Sequence, residues 1–132
     1  MKKYCIDTNA LLSFLTDRNI NQQKTVEKYL ERAIRGELSL IVIENVITEL
    51  VYVMQSVYRT PKNIISQTLK ALEENPGISI DGHFNLKTLR QIWPDPVNDY
   101  GDALIVLYAL EKNCEILTFD KKLLNSFKKL KA

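Results

Sequence analysis

The chain has 132 residues, 18 Lys and Arg against 16 Asp and Glu, and a net charge of +2. That length suits one domain spanning residues 1–132 and argues against two, while a charge so near balance neither requires a nucleic-acid partner nor excludes one. No apolar run approaches the roughly 18 residues of a membrane span, and Cys5 and Cys114 lack the spacing or histidine partners of a zinc site, so the expectation is a cytoplasmic protein with reduced, buried thiols and no membrane partner.

In chain order, Tyr4-Cys5-Ile6 is β-prone and runs into Asp7-Thr8-Asn9, a turn of helix-capping residues that predicts the start of a βα unit. A short helical turn follows from Ala10 to Leu15, broken by Thr16-Asp17-Arg18-Asn19. From Ile20 to Arg35, Val26, Tyr29, Leu30, Ala33 and Ile34 recur at spacings of three and four, one stripe of an amphipathic helix stopped by Gly36. Leu38 to Ile43 reads as a strand buried on both faces. Glu44 or Asn45 is then placed to cap a helix reaching Tyr58, with Val46, Leu50, Val53 and Val57 inward. Thr60-Pro61 opens the next helix, which carries Ile64, Ile65, Leu69 and Leu72 to the stop at Asn75-Pro76-Gly77.

Ile78-Ser79-Ile80 predicts a third strand, and Asp81 a cap for a helix holding Phe84, Leu89, Ile92 and Trp93, with Trp93 in the core. The only histidine, His83, falls on that surface helix and is given no catalytic role. After Pro94-Asp95-Pro96, a helix is predicted from Asp99 to Asn113, then a strand from Glu115 to Phe119. A short basic helix from Lys121 to Lys129 closes the chain. Strands alternating with helices imply parallel strands joined by crossovers: an α/β sandwich, helices on both faces, whose ligands bind outside the carboxyl ends of the strands.

The positions of the acids carry the functional argument. Asp7 and Asp120 each follow a strand directly, so both reach the same edge of a parallel sheet. Asp102 sits in the first turn of a helix that is otherwise apolar on every side from Ala103 to Leu110, where an ionised carboxylate is rarely left unpaired. Asp99 lies one turn earlier, and Glu49 borders the apolar stripe of its own helix. Each position has a plainer alternative: Asp7, Asp99 and Asp120 are good N-caps, Asp102 suits a helix start, and Glu49 suits a surface. Several carboxylates in one cleft repel one another unless a cation neutralises them. Oxygen ligands without His or Cys select Mg²⁺ or Mn²⁺. Ions so held activate water and stabilise charge on a phosphate.

Taken together, Tyr4-Cys5-Ile6-Asp7-Thr8-Asn9, Val46-Ile47-Thr48-Glu49-Leu50, Asp99-Tyr100-Gly101-Asp102-Ala103-Leu104 and Ile116-Leu117-Thr118-Phe119-Asp120 resemble the PIN domain, in the order and spacing of a VapC-type toxin of a toxin–antitoxin pair. The resemblance implies a three-layer α/β/α sandwich around a small parallel sheet and an Mg²⁺- or Mn²⁺-dependent endoribonuclease. It places Asp7, Glu49, Asp102 and Asp120 as the catalytic quartet, and Asp7, Asp99, Asp102 and Asp120 as metal ligands. Asn9 and Thr118 match polar positions lining the site. It further implies a homodimer silenced by a small antitoxin, with RNA as substrate. One departure is the ending: the chain stops soon after Asp120, which leaves little room for the family's last strand.

Basic residues must hold the RNA backbone; the candidates are Arg59, Lys62, Lys121, Lys122, Lys128 and Lys129, each of which also suits a solvated face. Two other readings compete. A PIN-like fold can serve as an inactive RNA- or protein-binding module. A haloacid-dehalogenase-like phosphatase also carries an aspartate after its first strand, but Asn9 stands where its second aspartate would be.

Overall fold

The computed structural model describes residues 1–132. Its first half runs β1 (Lys2–Ile6), α1 (Thr8–Leu15), α2 (Ile20–Ile34), β2 (Leu38–Ile43), α3 (Glu44–Ser56) and α4 (Lys62–Glu74). The second half runs β3 (Ile78–Asp81), α5 (Leu86–Ile92), α6 (Tyr100–Lys112), β4 (Glu115–Leu117) and α7 (Lys121–Lys131). The four strands form one all-parallel sheet in the order β3-β2-β1-β4, flanked by the seven helices. Cys5 pairs with Ile41 on one side and Ile116 on the other.

Consecutive strand residues point to opposite faces, and Leu40, Ile41, Val42 and Ile43 are all buried, as are Cys5 and Ile6. Helices therefore cover both faces of the central strands, the three-layer α/β arrangement expected from the apolar run. Val46 and Leu50 of α3 are fully buried, each worth about 1.5–3 kcal/mol, whereas Val57 falls beyond the helix end and is exposed. α6 buries every residue from Ala103 to Ala109, as its sequence foretells.

Other details depart from the sequence reading. α3 begins at Glu44 with Ile43 in the cap position and no side-chain cap, so neither Glu44 nor Asn45 caps it. Asp81 ends β3 and caps no helix. Gly82 takes φ +150°, His83 and Phe84 lie in a loop, and α5 starts only after Asn85, whose side chain accepts from the Thr88 N–H. Trp93 is only partly buried, its indole N–H donating to the Asn98 carbonyl at 2.9 Å. The sheet ends at β4, and the chain after it forms α7 alone. No helix is long and apolar enough to cross a membrane.

The strand order positions the site. From β1 the chain moves outward to β2 and β3, then returns to lay β4 on the other side of β1. The carboxyl ends of β1 and β4 thus flank the point where the winding reverses, the place where a crevice opens in such sheets.

Candidate functional site

Asp7 follows β1 and donates its backbone N–H to the Leu117 carbonyl at 3.2 Å, carrying the β1–β4 pairing up to the crevice. Its side chain, 5% exposed, caps α1 through Oδ1, which accepts from the Ala10 N–H at 2.8 Å. Oδ2 accepts from the hydroxyl of Thr118, the residue after β4. The Thr118 oxygen in turn accepts from the Asp120 N–H at 3.0 Å, and Asp120 Oδ1 accepts from the N–H groups of Lys122 and Leu123 at the start of α7. Capping and clustering are therefore the same arrangement: the cap bonds fix each carboxylate where the strand ends deliver it.

Burial pushes the Asp7 carboxyl above its ordinary range; the bonds from Thr118 and Ala10 pull it back, the Asp120 charge raises it and Arg18 lowers it. Thr118→Val should remove one of these restraints and strand both Asp7 Oδ2 and the Asp120 N–H. We expect a loss of about 1–3 kcal/mol at pH 7.5, the cost of an unsatisfied buried acceptor. Asp7 is raised in the folded state, so the part of the penalty that comes from its carboxylate should shrink as pH falls towards 4, while the part from the Asp120 N–H stays. Urea unfolding in EDTA at the two pH values checks this; an equal loss at both would refute it.

The second half of the cluster comes from α3 and α6. Glu49 accepts from the Thr8 hydroxyl at 3.1 Å and from the Asn45 side-chain amide at 2.8 Å. It lies against Gly101: a Cβ built there would collide with Glu49 Oε1 and stand 3.3 Å from Asp99 Oδ1. Asp99 caps α6, accepting from the Asp102 N–H at 2.9 Å. Asp102 is pushed up to about 7, first by burial and then by the charges of Asp99, Asp120, Asp7 and Glu49. All four other predicted acids thus bear on Asp102. None of the five is ion-paired: the four salt bridges are Arg32–Glu37, Arg35–Glu37, Lys70–Glu74 and Lys131–Glu115. Asp99, Asp102 and Asp120 line a common cleft of about 340 Å³ together with Lys122.

The PIN domain family matches residues 4–130, nearly the whole chain and every one of these acids. The chain belongs to the PIN domain family. No curated protein matches it. PIN domains are generally nucleases that use divalent metal ions, so membership makes this a nuclease-type hydrolase acting on nucleic acid.

The donor set suits such an ion. It consists of hard carboxylate oxygens, none of them in a salt bridge, and a divalent cation would relieve their mutual repulsion. The residues able to hold it are Asp7, Asp99, Asp102 and Asp120, with Glu49 beside them. No three of these side chains already enclose a single point: Asp7, Glu49, Asp99 and Asp120 each have an oxygen turned to a cap or tether, and only the Asp102 carboxylate is free of one.

The other residues singled out in the sequence divide. Thr118 is integral, through Asp7. Lys121 opens α7 next to Asp120 and is exposed, while its neighbour Lys122 reaches the cleft. Asn9 is exposed on the first turn of α1, with its carbonyl held by Arg18 at 2.5 Å. Arg59 lies beyond the end of α3, outside the cleft lining. Thr8, Asn45, Gly101 and Arg18 were not singled out for the site. Thr8 alone carried a signal, a hydroxyl immediately after the strand-end aspartate.

Proposed function

We propose that this PIN domain is an Mg²⁺- or Mn²⁺-dependent endoribonuclease and the toxin of a VapBC-type toxin–antitoxin pair, acting in the cytoplasm as a homodimer. The observation that carries the nuclease reading is Asp102: a carboxyl raised to about 7 by burial and four neighbouring acids, with no cationic side chain in partnership. Asp7, Glu49, Asp102 and Asp120 form the catalytic quartet, and Asp7, Asp99, Asp102 and Asp120 are the ligands. A bound divalent ion supplies an activated water and stabilises the charge that builds on the phosphate.

The chain's own groups do the rest. Thr118 and the Ala10 N–H hold Asp7 in one orientation, and Thr8 and Asn45 do the same for Glu49, so the carboxylates need little reorganisation to act. Lys122 lines the cleft and Lys121 is exposed beside Asp120, both placed to take backbone phosphates, with Asn9 and Thr118 as further polar contacts. Arg59 would contact RNA only where the strand extends beyond the cleft. The complete set of acids favours turnover over a binding-only module, and Asn9 removes the second aspartate a phosphatase would need.

Purified protein incubated with RNA and Mg²⁺ or Mn²⁺ should release fragments, and both EDTA and Asp7→Asn should stop the reaction. Cleavage surviving either control would sink the metal-nuclease reading; phosphate release from small monoesters would favour the phosphatase. Co-expression with a short neighbouring open reading frame, followed by co-purification, tests the antitoxin.

A further inference from the structure

A second cavity, separate from the cleft lined by Asp99, Asp102 and Asp120, lies between α3 and α6 and is tied to the acids through Asn45 and Glu49. Leu104 and Tyr108 follow Gly101 at successive turns of α6 and, with Asn45 and Thr48 of α3 and the loop residues His83 and Phe84, line this cavity of about 230 Å³. Asn45 belongs to both places, since its amide holds Glu49 while its side chain borders this cavity. The loop is seated tightly: a Cβ on Gly82 would stand 3.0 Å from the Glu44 backbone nitrogen. Phe84 is 51% exposed, a large apolar ring left in water among the lining residues.

The chemistry of the lining selects a class of ligand. No Lys or Arg borders the cavity, whereas the acidic residue Glu44 does, so the lining disfavours phosphate and admits an uncharged group. Phe84 offers a stacking face, and Asn45, Thr48 and Glu44 offer the donors and acceptors that read base edges. We infer that this cavity receives an unpaired nucleobase of the strand being cleaved, stacked on Phe84 and touching Asn45. Asn45 then acts as a positioning residue, linking arrival of the base to the orientation of Glu49. That the strand is RNA rests on the function proposed above; the base site rests on the cavity.

Saturation-transfer NMR on the intact protein in EDTA, with AMP, GMP, CMP and UMP as probes, tests the site without turnover. At least one nucleotide should receive more saturation on its base protons than on its ribose. Phe84→Ala should abolish that signal and Phe84→Trp should keep it, both folding normally because the ring is half in solvent. In cleavage of single-stranded RNA with Mn²⁺, Phe84→Ala should raise KM about tenfold, the loss of one stacked base. No base saturation, or saturation and KM that ignore Phe84→Ala, would overturn the inference, and the cavity would then pass to a protein partner. Base saturation that follows Phe84 in a protein that cuts no RNA would overturn the ribonuclease reading and leave the base site standing.

Discussion

Asp102→Asn should stabilise the metal-free protein at neutral pH while lowering RNA cleavage by about 10²- to 10³-fold, the usual loss when one preorganised charge-stabilising group is removed. The stability half follows from linkage. The carboxyl is raised from 3.8 to about 7 in the fold, so the native state binds its proton more tightly than the unfolded chain does. Its favourable contribution is full below about pH 4 and is lost as pH rises to about 7, where the carboxylate must ionise among four other acids. The shift corresponds to roughly 4 kcal/mol at 1.36 kcal/mol per unit, and partial exposure cuts this to the order of 2 kcal/mol. Asparagine carries no charge at any pH. The variant and the parent should therefore unfold alike near pH 4 and diverge towards pH 7.5 in EDTA, with the variant more stable. Mn²⁺ should reverse the order, because only the parent keeps the ligand. Urea midpoints under these conditions, beside the cleavage rate, decide it; equal midpoints at every pH would refute the electrostatic account of the cluster.

Such a trade of stability for charge is legible in the sequence only where local rules and the long-range arrangement agree. Asp7 and Asp120 could be read because an apolar run stopping at an aspartate states both the strand and its carboxyl end. Asp102 could be read because α6 has no other polar residue between Ala103 and Tyr108 to explain. The loop after β3 was misread for a local reason. Asp81 ahead of Phe84, Leu89 and Ile92 reads as a cap before an apolar helix, but Gly82 takes a backbone conformation that diverts the chain, and Asn85 makes the cap bond to Thr88 one turn later. Thr8, Asn45 and Gly101 escaped for a different reason. Their roles exist only once Glu49 arrives, 41 residues from Thr8 along the chain, and no periodicity encodes a contact of that separation. What orients the acids is therefore less visible in the sequence than the acids themselves.

Gly101→Ala should separate orientation from composition, because it leaves all five acids in place. The substitution favours the helix by roughly 0.8–1 kcal/mol, and the backbone of Gly101 is not among the positive-φ positions, so alanine fits the main chain. The added Cβ meets Glu49 Oε1, the far end of a flexible side chain, and it is Glu49 that yields. Swinging away, it gives up the bonds from Thr8 and Asn45 at 3.1 and 2.8 Å. The variant should thus unfold within about 1 kcal/mol of the parent, yet cleave about 10²-fold more slowly, the effect of a displacement near 1 Å in a catalytic group. Glu49→Gln made in the Gly101→Ala background should add little, since residues acting through one carboxylate are not additive. Full cleavage by Gly101→Ala, or multiplied losses in the double variant, would show that Glu49 acts without its tether. The close approach of α3 to α6 at a residue without a side chain would then serve packing alone.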